Sequence, residues 1–214
     1  MTKFAFVLLL SNVIGTSAVS AAVLEYNNVG SWDTAVGSSP VAQGFASLPG
    51  NDQVLTQPQS INGVSFSSSG VLVSCGGSFP SNCDGASGFL LGYPDMTETF
   101  SPTTTAVAGT FGAYYGNMPA TLDFTVTTAG GATYTKSIDP GTNLIFEGFV
   151  STVASDPIAS LTVKELNSSN YAAETQFYTA ETAAAAAAPE PSTMLLLGAG
   201  MIAVAGFKRR KTTA

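Results

Sequence analysis

Histidine is absent from all 214 residues. That absence removes Ser-His-Asp and Cys-His activation of a nucleophile and the usual zinc ligand sets. Basic residues are nearly as scarce: of seven Lys and Arg, five sit at the two ends as Lys3 and Lys208 to Lys211. Between the ends only Lys136 and Lys164 remain against fourteen Asp and Glu, a net charge of −12. Nucleic acid and anionic membrane surfaces are gripped by basic patches, so neither is an expected partner. Also missing are a Gly-x-Ser-x-Gly elbow, a phosphate loop ending in Gly-Lys, a dinucleotide fingerprint and a calcium-loop repeat. No catalytic residue and no metal ligand set is therefore expected. The pairs a glycosidase could draw on are Asp95 with Glu98 and Asp123 with Glu147, but each residue reads more simply as a turn or solvent-facing strand carboxylate. No cofactor is expected; structural calcium, for which Asn51-Asp52, Asp84 and Asp156 are the available oxygens, has no motif behind it.

There are two cysteines, Cys75 and Cys83, flanking Gly-Gly-Ser-Phe-Pro-Ser-Asn. In an exported chain two cysteines across a short turn-rich loop are expected to be joined, whereas a redox or metal pair is disfavoured without Cys-x-x-Cys spacing or histidine.

Export is what the N-terminus announces. Lys3 precedes an apolar stretch from Phe4 to Ile14, and small residues follow from Thr16 to Ala22. This is the build of a secretory signal peptide over 1–22, with cleavage after Ala21 or Ala22 both satisfying the small-residue rule. Sec export and signal peptidase are the implied partners.

From residue 23 to 181 no helical period is sustained, and the residues read as strands. In Thr121 to Thr127, Leu122, Phe124 and Val126 share one face while the threonines and Asp123 share the other. Ala129-Gly130-Gly131 turns into Thr133 to Ile138, and Asp139-Pro140-Gly141 turns again. Leu144 to Val150 is apolar on both faces except Glu147; Ile158 to Leu166 and Thr175 to Thr179 follow. Earlier strands are expected at Val41 to Ser47, Ile61 to Ser67, Val71 to Ser74, Phe89 to Gly92 and Val107 to Tyr115. Short strands at turn-marked spacing predict an all-β, antiparallel two-sheet sandwich of jelly-roll type. Exposed rings that could stack on sugars are sought at Trp32, Tyr114 and Tyr115. Adjacent tyrosines on a strand face opposite ways, so one leaves the core unless a second layer covers it.

Residues 182–188 are a run rich in alanine, read as a linker. The tail, 189–214, has three blocks: Pro189-Glu190-Pro191, an apolar run from Met194 to Phe207, and the basic stop Lys208, Arg209, Arg210, Lys211. As a helix the run would reach only ~21 Å against a hydrocarbon core of ~30 Å, a marginal span. The basic cluster keeps its end on the cytoplasmic side and leaves everything before Pro189 outside. The two prolines make an extended, accessible joint.

In order and spacing these blocks resemble the PEP-CTERM sorting signal, a tail also catalogued on some ice-binding proteins. Phe146-Glu147-Gly148-Phe149-Val150, with the turn at Asp156-Pro157 and Ile158 to Val163, is similar to sandwich domains that often precede it. The resemblance implies recognition by exosortase, a transient inner-membrane intermediate, removal of the tail, and delivery to the cell surface or an exopolysaccharide matrix. Together with the missing catalytic groups, the tail favours a non-catalytic structural or adhesive role; a lectin-like carbohydrate-binding module and a small carbohydrate-active enzyme are the alternatives. An ice-binding surface is not expected, because the threonines of 121–127 lack a repeated flat array around them.

Overall fold

The computed structural model describes residues 22–38, 40–49, 52–76, 88–114, 121–141, 143–166 and 171–181. In chain order the strands are β1 (Val23–Tyr26), β2 (Gln43–Gly44), β3 (Gln53–Val54), β4 (Gln59–Ile61), β5 (Val64–Ser67), β6 (Val71–Gly76) and β7 (Gly88–Tyr93). There follow β8 (Asp95–Thr99), β9 (Ala106–Tyr114), β10 (Leu122–Thr128), β11 (Thr133–Ile138), β12 (Ile145–Ser151), β13 (Ile158–Glu165) and β14 (Tyr171–Ala180); one helix, α1 (Val29–Val36), lies between β1 and β2.

These strands form two antiparallel sheets. One runs β1-β12-β9-β14-β7-β6-β3 with β2 beside β14, the other β11-β10-β13-β8-β5-β4. From β7 to β14 the pairing is nested: β10 with β11, β9 with β12, β8 with β13, β7 with β14. Successive nested pairs alternate between the sheets, which is the jelly-roll arrangement expected from the strand spacing.

The core lies between the sheets, where Phe66, Met96, Phe124, Leu161 and Val163 of the six-stranded sheet meet Leu90, Phe111, Phe149 and Phe177 of the other. Alternation on β10 is clean, with Leu122, Phe124 and Val126 inward. The eight-stranded sheet is also covered on its outer side. Val73, Cys75, Phe89, Leu91, Tyr114 and Ala173 form one buried outer cluster, and α1 lays Trp32 and Val36 on Ala106, Ala108 and Val150 in a second. Burial on both sides is why β6, β7 and β9 read as nearly continuous apolar runs rather than alternating ones.

Six elements depart from the sequence expectation. The stretch Ile61 to Ser67 is two strands folded at Asn62-Gly63, where φ of +48° and +86° makes the tight turn of a hairpin. The helix α1 was not expected; it is held by caps, the Asn28 side chain accepting from Ser31 N and Gly37 closing the far end with φ +74°. The strands β1, β3 and β8 were also not expected, and of the stretch Val41 to Ser47 only Gln43–Gly44 is strand. The signal peptide apart from Ala22, the linker and the tail with its membrane helix lie outside the described residues. Among the described residues no helix is long and apolar enough to cross a membrane.

Candidate functional site

Lys136 and Glu147 meet at the open edge of the sandwich. Edge strand β11 turns Tyr134, Lys136 and Ile138 toward the core side and Thr133, Thr135 and Ser137 outward. Across the gap, β12 presents Glu147 on the same face as Phe149, and β1 adds Glu25 beside it, since Glu25 is registered with Phe149. The Lys136 ammonium donates to both Glu147 oxygens, at 3.2 and 3.4 Å, and to Glu25, which also accepts from the Tyr134 hydroxyl.

The electrostatics follow from that geometry. Burial raises the Glu147 pKa, only partly opposed by Lys136. Burial also works against ionisation of Glu25, but the bonds from Lys136 and Tyr134 outweigh it and leave its pKa lowered. The bond to Glu25, with burial, pushes the Tyr134 phenol up to about 12. Lys136 loses some affinity for its proton to burial and regains more from the two carboxylates, so its pKa is raised. The lysine already occupies the place a cation would take between the two acids.

Next to this clamp lies an open cleft of about 700 Å³, lined by Asn27, Lys136, Ser137, Ile138, Asp139, Leu144, Ile145, Phe146 and Glu147. Its apolar members can lie against a sugar's C–H face, while the amide, hydroxyl and carboxylates can bond hydroxyls. A second surface faces away, on the outer side of the six-stranded sheet. There Thr133, Thr127, Ser160, Thr99 and Ser65 stand in one registered rank, and Thr135, Thr125, Thr162, Thr97 and Ser67 in the next. The expectation that 121–127 has no repeated array around it is therefore corrected: the hydroxyl rows continue across five strands.

Two of the three rings sought as a sugar platform are buried. Trp32 is fully buried under α1, in edge contacts with Phe146 and Tyr178, and Tyr114 is buried against Phe89 in the other outer cluster. The cause is the second layer on the eight-stranded sheet. Tyr115, Cys83, Pro189, Glu190, Pro191, Lys208, Arg209, Arg210 and Lys211 lie outside the described residues. Cys75 is buried at the end of β6 and is not a free thiol.

Neither nominated carboxylate pair converges. Asp95 turns outward to brace Ser69 N and Oγ at 2.8 Å, while Glu98 turns into the core of the same strand. Asp123 faces out, accepting from Ser137 Oγ, and Glu147 faces in from the other sheet. Of the calcium oxygens, Asp156 is bonded by Thr128 Oγ1 and Gly130 N in a turn, and Asn51 and Asp84 lie outside the described residues. Among the described residues no group of three or more Cys, Asp or Glu could hold a metal ion. Sequence reasoning missed two clusters: the Glu25–Lys136–Glu147 clamp, whose signal was a lone lysine on an alternating edge strand, and a pair of core glutamates, Glu98 and Glu174.

Residues 187–211 match the family model of the PEP-CTERM protein-sorting motif. No curated protein and no solved structure matches the chain. The motif spans Pro189-Glu190-Pro191 and reaches the basic end at Lys211. This is the tail of an exported protein sorted by exosortase.

Proposed function

We propose that this protein is a non-catalytic component of an extracellular polysaccharide matrix, structural or adhesive in role. The matched tail carries the proposal, because it delivers whatever precedes it to the surface. In this reading Sec and signal peptidase export the chain, exosortase removes the tail, and a jelly roll stapled by Cys75–Cys83 is left outside. Two features of the fold support it. The carboxylates that could have served a glycosidase are dispersed to opposite faces, and the cleft beside Lys136 offers mixed apolar and hydrogen-bonding contacts of the kind a saccharide uses.

The test is a pull-down of the mature protein on the host's own exopolysaccharide, with Asp139→Ala and Leu144→Ala in the cleft and Thr125→Val with Thr162→Val on the hydroxyl ranks. Binding that survives every variant supports a distributed adhesive. Saturable binding lost in the cleft variants favours the lectin-like alternative. Absence of binding by folded protein removes the adhesive role, and release of new reducing ends would replace the non-catalytic reading with an enzyme.

A further inference from the structure

Two glutamates enter the core from opposite sheets. Glu98 follows Met96 on the inward face of β8 and is 1 % exposed; Glu174 shares the inward face of β14 with Ala172 and is 0 % exposed. The two strands pass close to each other across the sandwich. Oε1 of Glu98 and both oxygens of Glu174 have no hydrogen-bond partner in the fold. Room for Glu174 is made by Gly109 on the neighbouring strand, where a Cβ would lie 2.4 Å from Oε1. Registered beside the pair are Phe66 and Leu161 next to Glu98, and Phe111 and Leu90 next to Glu174.

No cation faces these acids among the described residues. Lys136 is held at the sandwich edge by Glu25 and Glu147, and Lys164 is exposed on the outward side of β13. Asp95 and Asp123 face outward, and Tyr114, Tyr171 and Tyr178 belong to the outer layers of the eight-stranded sheet. Glu165, at the end of β13, is a further inward carboxylate. An ionised carboxylate in such a place lacks compensation, and two would repel at low dielectric, whereas protonated acids carry no charge to compensate. Burial lifts Glu98 to about 8, and burial followed by the charge of Glu98 lifts Glu174 well above the ordinary range.

We propose that Glu98 and Glu174 are held between the two sheets as neutral acids, and that rising pH loosens the sandwich as it strips their protons. The direction follows from linkage. The unfolded chain releases these protons near 4.5, whereas the folded chain holds that of Glu98 to about 8 and holds that of Glu174 well above the ordinary range. The pair's contribution is therefore complete below 4.5, shrinks through neutrality, and is gone above the folded values. Between its unfolded and its folded pKa each carboxyl lowers the folding constant roughly tenfold per pH unit.

The test is urea unfolding of the mature protein at pH 5 and pH 9, alongside the Glu98→Gln/Glu174→Gln double variant. Wild type is expected to lose at least ~100-fold more of its folding constant between the two conditions than the double variant. Infrared spectra of wild type in D2O give an independent reading should the variant fail to fold. A buried carboxylic acid band at neutral pH that disappears in alkali supports the pair. Equal pH slopes, absence of that band, or a rise in wild-type stability with millimolar Ca²⁺ that the double variant lacks would each overturn it, the last by making the pair a cation site.

Discussion

Gly148 exists where it does because of Trp32. A Cβ at position 148 would lie 2.5 Å from Cδ1 of the indole and 2.9 Å from Cγ, closer than any real side chain tolerates. The ring fills that space from α1 and stacks edge-on against Phe146 and Tyr178. Gly148→Ala is thus expected to push the helix off the sheet, at a cost of about 1–3 kcal/mol as for other overpacked sites. Urea unfolding measures the cost, and fluorescence of the chain's one tryptophan should shift to the red. An unchanged midpoint and spectrum would mean that α1 does not lie on β12 in solution.

Lys136→Met separates the two acids of the edge clamp by the direction of their shifts. In the wild type Glu25, with its pKa lowered, adds stability above its unfolded pKa that is lost as pH falls through the folded one. Glu147, with its pKa raised, contributes most below its unfolded pKa and loses that as pH rises. Without the ammonium the Glu25 contribution shrinks, and burial acts on Glu147 with less opposition. The variant should be less stable by about 1–3 kcal/mol at neutral pH, since a carboxylate 4 % exposed loses its donor. Its stability should also fall more steeply on the alkaline side. Parallel pH profiles of the urea midpoint for variant and wild type would count against the clamp.

Of the two signal-peptide cuts expected from the sequence, one keeps Ala22 and the other removes it. Its carbonyl accepts from Thr152 N at 3.0 Å and from Thr152 Oγ1 at 2.9 Å, fastening the start of β1 to the end of β12. A chain starting at Ala22 keeps both bonds; one starting at Val23 has neither. The difference should be about 1–2 kcal/mol in favour of the longer form. Denaturation of the two forms side by side measures it, and equal stability would show that the attachment contributes nothing.

How far the sequence could be read depended on which face a residue's neighbours left visible. On β10, Leu122, Phe124 and Val126 alternate with polar residues, so the strand and its hairpin to β11 were legible. On β8, the inward positions are Met96 and Glu98, and Asp-Met-Thr-Glu-Thr shows no apolar alternation to read. The helix α1 buries only Trp32 and Val36, too few to set a period, and its remaining signals were the caps Asn28 and Gly37. Trp32 looked like a sugar platform because a second layer over one sheet cannot be seen in a strand pattern. Glu98 and Glu174 are brought together by the fold alone, from strands in different sheets. The tail needed no fold at all: its three blocks are contiguous, and they were legible from end to end.

The same contiguity makes the tail testable apart from the domain. As a helix, at ~1.5 Å per residue, a run from Met194 to Phe207 would scarcely cross the hydrocarbon layer, and its glycines would weaken it further. Insertion is then expected to depend on the basic stop, and release on the joint at Pro189-Glu190-Pro191. Replacing that tripeptide by alanines would keep the apolar run and the basic end while removing both prolines. The protein should then stay in the membrane fraction with its whole tail, whereas the wild type should reach the surface with a mass short of the apolar run. Deleting Lys208 to Lys211 should act differently, because without a charge cluster to hold the cytoplasmic end the marginal helix is pulled through or lost. Fractionation with intact-mass measurement distinguishes the two variants. Normal release and a trimmed mass in the alanine variant would show that the tripeptide is not what directs the cut.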